Sequence, residues 1–234
     1  MPPGAASPDA MAALHAFGID VAPLPFGPFP MWLVAKRRPL APAVLDLLSN
    51  AERDRAARFR TTALRDRYLA AHAGLRLLSE SCFGVAAACQ RYEIDALGKP
   101  RLADDPDARC NMSYSRNCAL IGLSRGAEIG VDIEAIRAID DAPELMELHY
   151  TPREKSALHR MRRSGAGFDR GFLTVWVRKE ACVKALGCGL SMPLTDLECG
   201  MDERMTTVGA GSDRLRTGVI QASCDHVIAW ASRC

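Results

Sequence analysis

The sequence predicts an α+β protein of two similar lobes, each a small, mainly antiparallel sheet packed with a long helix. Three observations carry that prediction. Short apolar runs bounded by turn residues recur along the chain, as strands do. One longer stretch of helical character stands in each half. The halves meet near Gly126, in a turn between two apolar runs. At 234 residues the chain has room for two domains of ~100–150 residues. The expected division is an N-terminal lobe over 1–126 and a C-terminal lobe over 127–234. No convincing residue-level repeat accompanies it.

Residues 1–30 are rich in Pro and Gly and predict an extended lead-in. Met31 to Ala35 is an apolar run that predicts a buried strand. Ser49-Asn50-Ala51-Glu52 fits a capping box, with a charged helix running to about Phe59. Tyr68, Ala71, Leu75 and Leu78 recur at steps of 3, 4 and 3, one apolar face of a helix of about four turns starting near Leu64. On that reading Arg65, Arg67, His72 and Arg76 lie on its other faces. Arg91 to Ile94 predicts a short strand, and Leu97-Gly98-Lys99-Pro100 a turn. Cys118 to Leu123 and Ile129 to Glu134 predict two strands around the Arg125-Gly126 turn. Thr151-Pro152-Arg153-Glu154 is a second capping box. Its helix breaks at Ser164-Gly165-Ala166-Gly167. Another helix is expected from about Phe172 to Leu186, closed by Gly187 and Gly189. The tail predicts strands near Asp196–Cys199, Leu215–Gln221 and His226–Ala231.

Composition excludes several classes of function. Apolar residues make up 48% and charged residues 25%, ordinary for a globular chain. The net charge of +2 argues against a general nucleic-acid binder, which needs a strongly basic footprint. No run approaches the ~18 apolar residues of a membrane span. The opening lacks the order of a secretory signal, so the cytoplasm is the expected setting. The nine cysteines (82, 89, 110, 118, 182, 188, 199, 224 and 234) form no C-x-x-C and no zinc-like spacing with His. They predict reduced thiols serving as small core residues. No Walker loop, G-x-G-x-x-G, G-x-S-x-G or H-E-x-x-H is present.

The chemistry must therefore rest on something else. Asp132 and Glu134 are i and i+2 on a predicted strand, so both point to one face. By themselves they fit an exposed strand face as well as an acidic site. Trp176, Glu180 and Lys184 follow one another at i, i+4 on a predicted helix and line one stripe. A Glu–Lys pair alone fits a solvated surface, but Trp176 on the same stripe suggests a partly buried one. Three carboxylates suit one hard cation such as Mg²⁺, which binds through a few carboxylates plus substrate phosphates. Lys184, one turn beyond Glu180, would then stand near those phosphates.

These residues carry a resemblance. Gly130-Val131-Asp132-Ile133-Glu134 followed by Trp176-x-x-Lys179-Glu180-Ala181-x-x-Lys184-Ala185-x-Gly187-x-Gly189-Leu190 resembles the signature of the 4′-phosphopantetheinyl transferases. The length fits the two-lobed Sfp-type branch. Leu97-Gly98-Lys99-Pro100, Asn111-Met112-Ser113-Tyr114-Ser115, Arg58-Phe59 and Arg67 extend the likeness over roughly residues 45–195. The resemblance implies an enzyme that transfers the phosphopantetheine arm of coenzyme A to a serine of an acyl or peptidyl carrier protein, releasing adenosine 3′,5′-bisphosphate. By that likeness Asp132, Glu134 and Glu180 hold Mg²⁺, Glu180 is the base for the serine, and Lys184 stabilises or protonates the departing phosphate.

The same likeness assigns Arg55, Arg67, Lys99, Ser113, Tyr114 and Ser115, with Lys184, to coenzyme A. One position departs from the family, which usually has His between the two serines where this chain has Tyr114. A phenol is neutral at pH 7, so weaker discrimination between coenzyme A and its 3′-dephospho form is expected unless Arg116 substitutes. The expected partners are the carrier and coenzyme A, with neither nucleic acid nor membrane, and the two fused lobes suggest a monomer. Residues 137–150, with Arg137, Leu145, Met146 and His149, are carrier-docking candidates by position. The competing readings are a carrier-binding module without catalysis and a metal-dependent phosphohydrolase.

Overall fold

A computed structural model describes residues 6–24, 27–96, 99–165, 167–189, 192–202, 205–220 and 225–234. The expected turn residues Leu97 and Gly98, together with Ala166, Leu190, Gln221 and Cys224, lie outside the described residues. The chain divides into two compact units. One comprises Met1–Asp95 and Pro100–Gly126; the other comprises Ala96–Lys99 and Ala127–Cys234. The architecture is α+β, with one antiparallel sheet in each unit.

In the first unit the strands are β1 (Ile19–Leu24), β2 (Met31–Lys36), β3 (Tyr92–Ile94), β4 (Pro100–Leu102), β5 (Ala108–Ser115) and β6 (Cys118–Arg125). They form a six-stranded sheet in the order β1-β2-β6-β5-β4-β3. Its helices are α1 (Pro8–Ala16), α2 (Asn50–Ala57) and α3 (Thr62–Phe83), and α3 packs on β2 and β6. The stretch expected to be an extended lead-in therefore holds a helix and a strand. Ser7 caps α1 by accepting from the Ala10 N–H, Pro8 needs no donor there, and Leu14 and Ile19 are fully buried. Helix α3 is longer than the four turns expected. Its first turn, capped by Thr61, is exposed and lies outside the apolar period, and the helix stops at Gly84 with φ +81°. Arg76, off the apolar stripe of α3 as expected, is nonetheless sealed from solvent. It is 1% exposed, because its guanidinium donates to Glu52 Oε2 (2.7 Å) and to the Ala87 and Gln90 carbonyls.

The second unit holds β7 (Ile129–Ala135), β8 (Thr206–Ala210), β9 (Asp213–Ile220) and β10 (His226–Arg233), in the order β7-β10-β9-β8. Its helices are α4 (Ala142–His149), α5 (Pro152–Ser164) and α6 (Phe168–Leu186). α6 lies across β7 and β10, and its residues are apolar or buried nearly all round, as for a helix at the centre of a core. Phe172, Val175, Leu158, Val227 and Ala229 belong to that core. α6 begins one turn before the expected start. The strand expected at 196–199 is absent: Leu194–Asp196 is a 3₁₀ turn, and the backbone around it bonds to side chains described below. Among the described residues no helix is long and apolar enough to cross a membrane.

Candidate functional site

The second unit builds its site from the close approach of β7 to α6. Gly130 makes the approach possible. A Cβ there would fall 2.0 Å from the Ala181 carbonyl oxygen and 2.5 Å from the Ala185 nitrogen, so any other residue would push the strand away. Gly130 thus faces the helix. Because side chains alternate along a strand, Asp132 and Glu134 share that face. Their cross-strand neighbours Ala229 and Val227 belong to the core beneath α6. The exposed strand face that the pair alone would allow is therefore ruled out: Asp132 is 5% exposed and Glu134 half-buried.

From α6 comes the stripe Trp176, Glu180, Lys184. Trp176 is partly buried, packed on Phe172 with ring centroids 6.4 Å apart. Lys184 Nζ donates to Asp132 Oδ1 at 2.6 Å and to the Val131 carbonyl at 3.2 Å. Burial raises the Glu180 carboxyl above its ordinary value and the Asp132 charge raises it further, while Lys184 pulls it down and Glu134 adds to the rise. Glu134 is raised by burial and by Asp132, against Arg137 and Lys184. Each of these two glutamates is thus shifted by the Asp132 charge and opposed by the same lysine.

Among the described residues no three His, Cys, Asp or Glu side chains are gathered into a ready-made metal centre. Asp132 is engaged by an ammonium instead. The donor chemistry still fits a hard divalent cation: beside Asp132 stand two glutamates whose proton affinity is raised by burial and by the neighbouring carboxylate charge, a repulsion that a cation would relieve.

Lys179, next to Glu180 in the signature, goes the other way. It is fully buried, and its three donors meet Leu194 O (2.7 Å), Leu197 O (2.5 Å) and Glu154 Oε2 (2.8 Å). Glu154 also accepts from the N–H groups of Thr151, Cys199 and Gly200. This network holds residues 194–200 against α5 and α6, which is why that segment forms no strand. The signature alone does not separate Lys179 from Lys184. The second capping box could have pointed to it, since its Glu154 is the partner.

The first unit gathers a different group. The Arg67 guanidinium lies over the Tyr114 ring at 5.4 Å, and Arg55 over Tyr68 at 5.8 Å. Arg67 Nη1 donates to the Arg116 carbonyl at 2.7 Å. Arg116 has φ +45°, an uncommon value for a non-glycine residue. Burial raises the Tyr114 hydroxyl, Tyr68 adds to this, and Arg67 and Arg55 oppose it. Alternation along β5 puts Ser113 and Ser115, both buried, on the face opposite Tyr114. Lys99 stands apart from this group: it belongs to the second unit, is buried, and pairs with Glu128 at 2.8 Å. Of the docking candidates, Met146 is 2% exposed in the core and so not offered to a partner, while His149 is partly buried and meets Trp176 edge-on. Leu148, at 67% exposed, is the large apolar residue that α4 turns to solvent.

Comparison with known proteins points one way. The family described as the 4′-phosphopantetheinyl transferase superfamily matches residues 128–220, from the start of β7 to the end of β9. The protein slr0495 of Synechocystis sp., provisionally named a 4′-phosphopantetheinyl transferase, is 31% identical over 163 residues, 69% of this chain and 65% of that protein. The 4′-phosphopantetheinyl transferase HetI of Nostoc sp. is 31% identical over 147 residues, 62% of this chain and 61% of HetI. The 4′-phosphopantetheinyl transferase Sfp of Bacillus subtilis is 31% identical over 104 residues, 44% of each chain. The matches with slr0495 and HetI thus span less than two thirds of those relatives' length.

Proposed function

Because the chain belongs to the 4′-phosphopantetheinyl transferase superfamily, with Sfp among its relatives, we propose that it moves the 4′-phosphopantetheine arm of coenzyme A onto a serine of an apo acyl or peptidyl carrier protein. Adenosine 3′,5′-bisphosphate leaves. One observation carries this reading: Asp132 and Glu134 lie on the helix-facing side of β7, and Lys184 of the Glu180 stripe reaches Asp132 Oδ1 at 2.6 Å.

Asp132, Glu134 and Glu180 would hold Mg²⁺, which supplies charge neutralisation for the pyrophosphate. Glu180 accepts the proton of the serine hydroxyl at a carboxylate oxygen. Lys184 donates to the departing phosphate oxygen. The two residues are four positions apart on one helix, about 6 Å along its axis, which suits a base at one end of an in-line displacement and an acid at the other. Arg55, Arg67 and Tyr114 are the coenzyme A contacts of the first unit in this reading, with Arg67 rather than a histidine supplying charge beside position 114. Ser113, Ser115 and Lys99 are further contacts, and Lys99 would have to exchange Glu128 for a phosphate. The protein works as a monomer in the cytoplasm, whose reducing conditions suit the reduced thiols of its eight described cysteines.

The test is incubation with coenzyme A, Mg²⁺ and a panel of apo-carriers, followed by intact mass. A covalent gain equal to the arm on at least one carrier is expected. A complex without mass gain would replace the reading with a binding module. Phosphopantetheine released without a carrier would replace it with a phosphohydrolase.

A further inference from the structure

Helix α5 concentrates charge in a way the whole chain does not. Its residues include Arg153, Lys155, His159, Arg160, Arg162 and Arg163, in a protein of net charge +2. Its one acidic residue, Glu154, is 2% exposed and consumed by Lys179 and three backbone N–H groups. Lys155 is paired with Glu147 at 2.6 Å. Arg153, His159, Arg160 and Arg163 are exposed and form no ion pair with any described residue. At 100° per residue these four fall on one arc, away from the buried Glu154 and Leu158. Like charges three or four positions apart weaken a helix, so this arrangement works against the stability of α5 itself.

A cavity of about 470 Å³ opens at the C-terminal end of the same helix. Ile136 and Phe168 give it apolar lining, Arg162 and Arg170 give it guanidiniums, and Asp169 adds one carboxylate. Arg162 lies over the Phe168 ring at 5.6 Å. The end of α5 crosses α6 at Gly171, where a Cβ would fall 2.8 Å from Met161 Sδ. Gly171 is nine residues from Glu180, about 14 Å along the helix axis. A protein seated on α5 would therefore span the distance to the proposed chemistry.

We propose that the basic arc of α5 and the cavity at its end form the docking surface for an acidic face of the protein acceptor, with an acidic side chain entering between Arg162 and Arg170. The proposal rests on the transferase reading for the identity of that partner. Charge complementarity selects the class. The arc has no Phe, Tyr or Trp on which a run of nucleic-acid bases could stack, and no large exposed apolar residue to insert into a membrane.

The test compares the full-length protein with Arg160→Glu/Arg163→Glu and, for the cavity, Arg162→Gln/Arg170→Gln. Binding of a fluorescently labelled acidic apo-carrier is read by anisotropy, separately from transfer. Each double variant should weaken binding roughly tenfold at low salt, with the gap closing at high salt, while coenzyme A binding stays at the wild-type level. The neutral pair Arg160→Gln/Arg163→Gln should give a smaller loss in the same direction, which separates charge from misfolding. Carrier binding lost in the variants while the wild type modifies no carrier sinks the transferase reading and leaves the surface standing. Carrier binding and transfer unchanged in both variants overturn the surface and leave the transferase standing. Wild-type binding to a 20-base-pair DNA duplex or to phosphatidylserine vesicles, lost in the variants while carrier binding persists, also overturns it.

Discussion

Lys179 and Lys184 stand five residues apart on one helix and meet opposite surroundings. Lys179 and its partner Glu154 are both fully buried, and every donor of the ammonium has an acceptor. Lys184 is 27% exposed at its side chain, and the Val131 carbonyl and Asp132 Oδ1 take two of its three donors. A cation whose every donor is used can only hold the fold together. One with a donor turned to solvent can exchange partners when a phosphate or a metal arrives. The first unit repeats the closed kind. Arg76 is buried against Glu52, and Glu52, like Glu154, is the glutamate of a capping box. In both units, then, a helix-start carboxylate fixes a cation on the long helix.

The largest effect expected of this contrast is on turnover. Glu180→Gln keeps shape and removes the proposed base, so transfer should fall by about 10²–10⁴-fold with the fold intact. Near-normal turnover would remove Glu180 from the mechanism. Lys179→Met should do the reverse. Leaving Glu154 buried without its cation costs about 3–5 kcal/mol, a melting temperature lower by roughly 10 °C. Pairing it with Glu154→Leu should recover part of that loss; no recovery in a double-mutant cycle would mean the lysine acts by packing alone.

Lys184→Met sharpens the comparison from the other side. Turnover should fall more than carrier affinity does. If, as proposed, Asp132 is a metal ligand, Lys184 competes with the cation for it, and Mg²⁺ without coenzyme A should bind the variant several-fold more tightly, by about 1 kcal/mol. Weaker Mg²⁺ binding by calorimetry would show that the lysine supports the carboxylates rather than competing for them.

The smallest effect is in pH dependence, and its sign differs between the units. Burial alone would raise Glu52, but hydrogen bonds from His72, Arg76 and Ser49 bring it from 4.5 to about 2. A lowered carboxyl stabilises the fold above its unfolded value and loses that contribution as pH falls through its folded one. The melting-temperature gap between wild type and Glu52→Gln should therefore shrink as pH drops from 4.5 toward 2. Glu180 is raised, so its ionisation weakens the fold as pH rises through its folded value. Glu180→Gln should melt higher than wild type at neutral pH, and the advantage should fade in acid. Both gaps close in acid but from opposite sides, wild type melting above Glu52→Gln and below Glu180→Gln at neutral pH; wild type melting above both variants there would erase the distinction.

Much of the fold was legible because its signals are local. The two capping boxes at Ser49 and Thr151, the apolar runs that became β2, β6 and β7, and the αL glycine that ends α6 appear where the chain announces them. The elements that were missed have no such signal. β5 buries Asn111, Ser113 and Ser115, so hydropathy does not mark it. The helices α1 and α4 are short and owe their stability to packing. The candidate site divides in the same way. Residue type and spacing singled out Asp132, Glu134, Glu180 and Lys184, yet Lys179, Lys184 and Lys99 looked alike.

The sequence by itself determined which residues carry charge suited to phosphoryl chemistry and on which kind of element each sits, because helix and strand periods are properties of the local chain. Only the tertiary structure decided which cation is sealed and which stays open. That depends on what lies against each face of α6: carbonyls of residues 194 and 197 and a buried glutamate for Lys179, a strand brought close by Gly130 for Lys184. Partners brought from 15 to 53 positions away leave no trace in the spacing of a nine-residue motif.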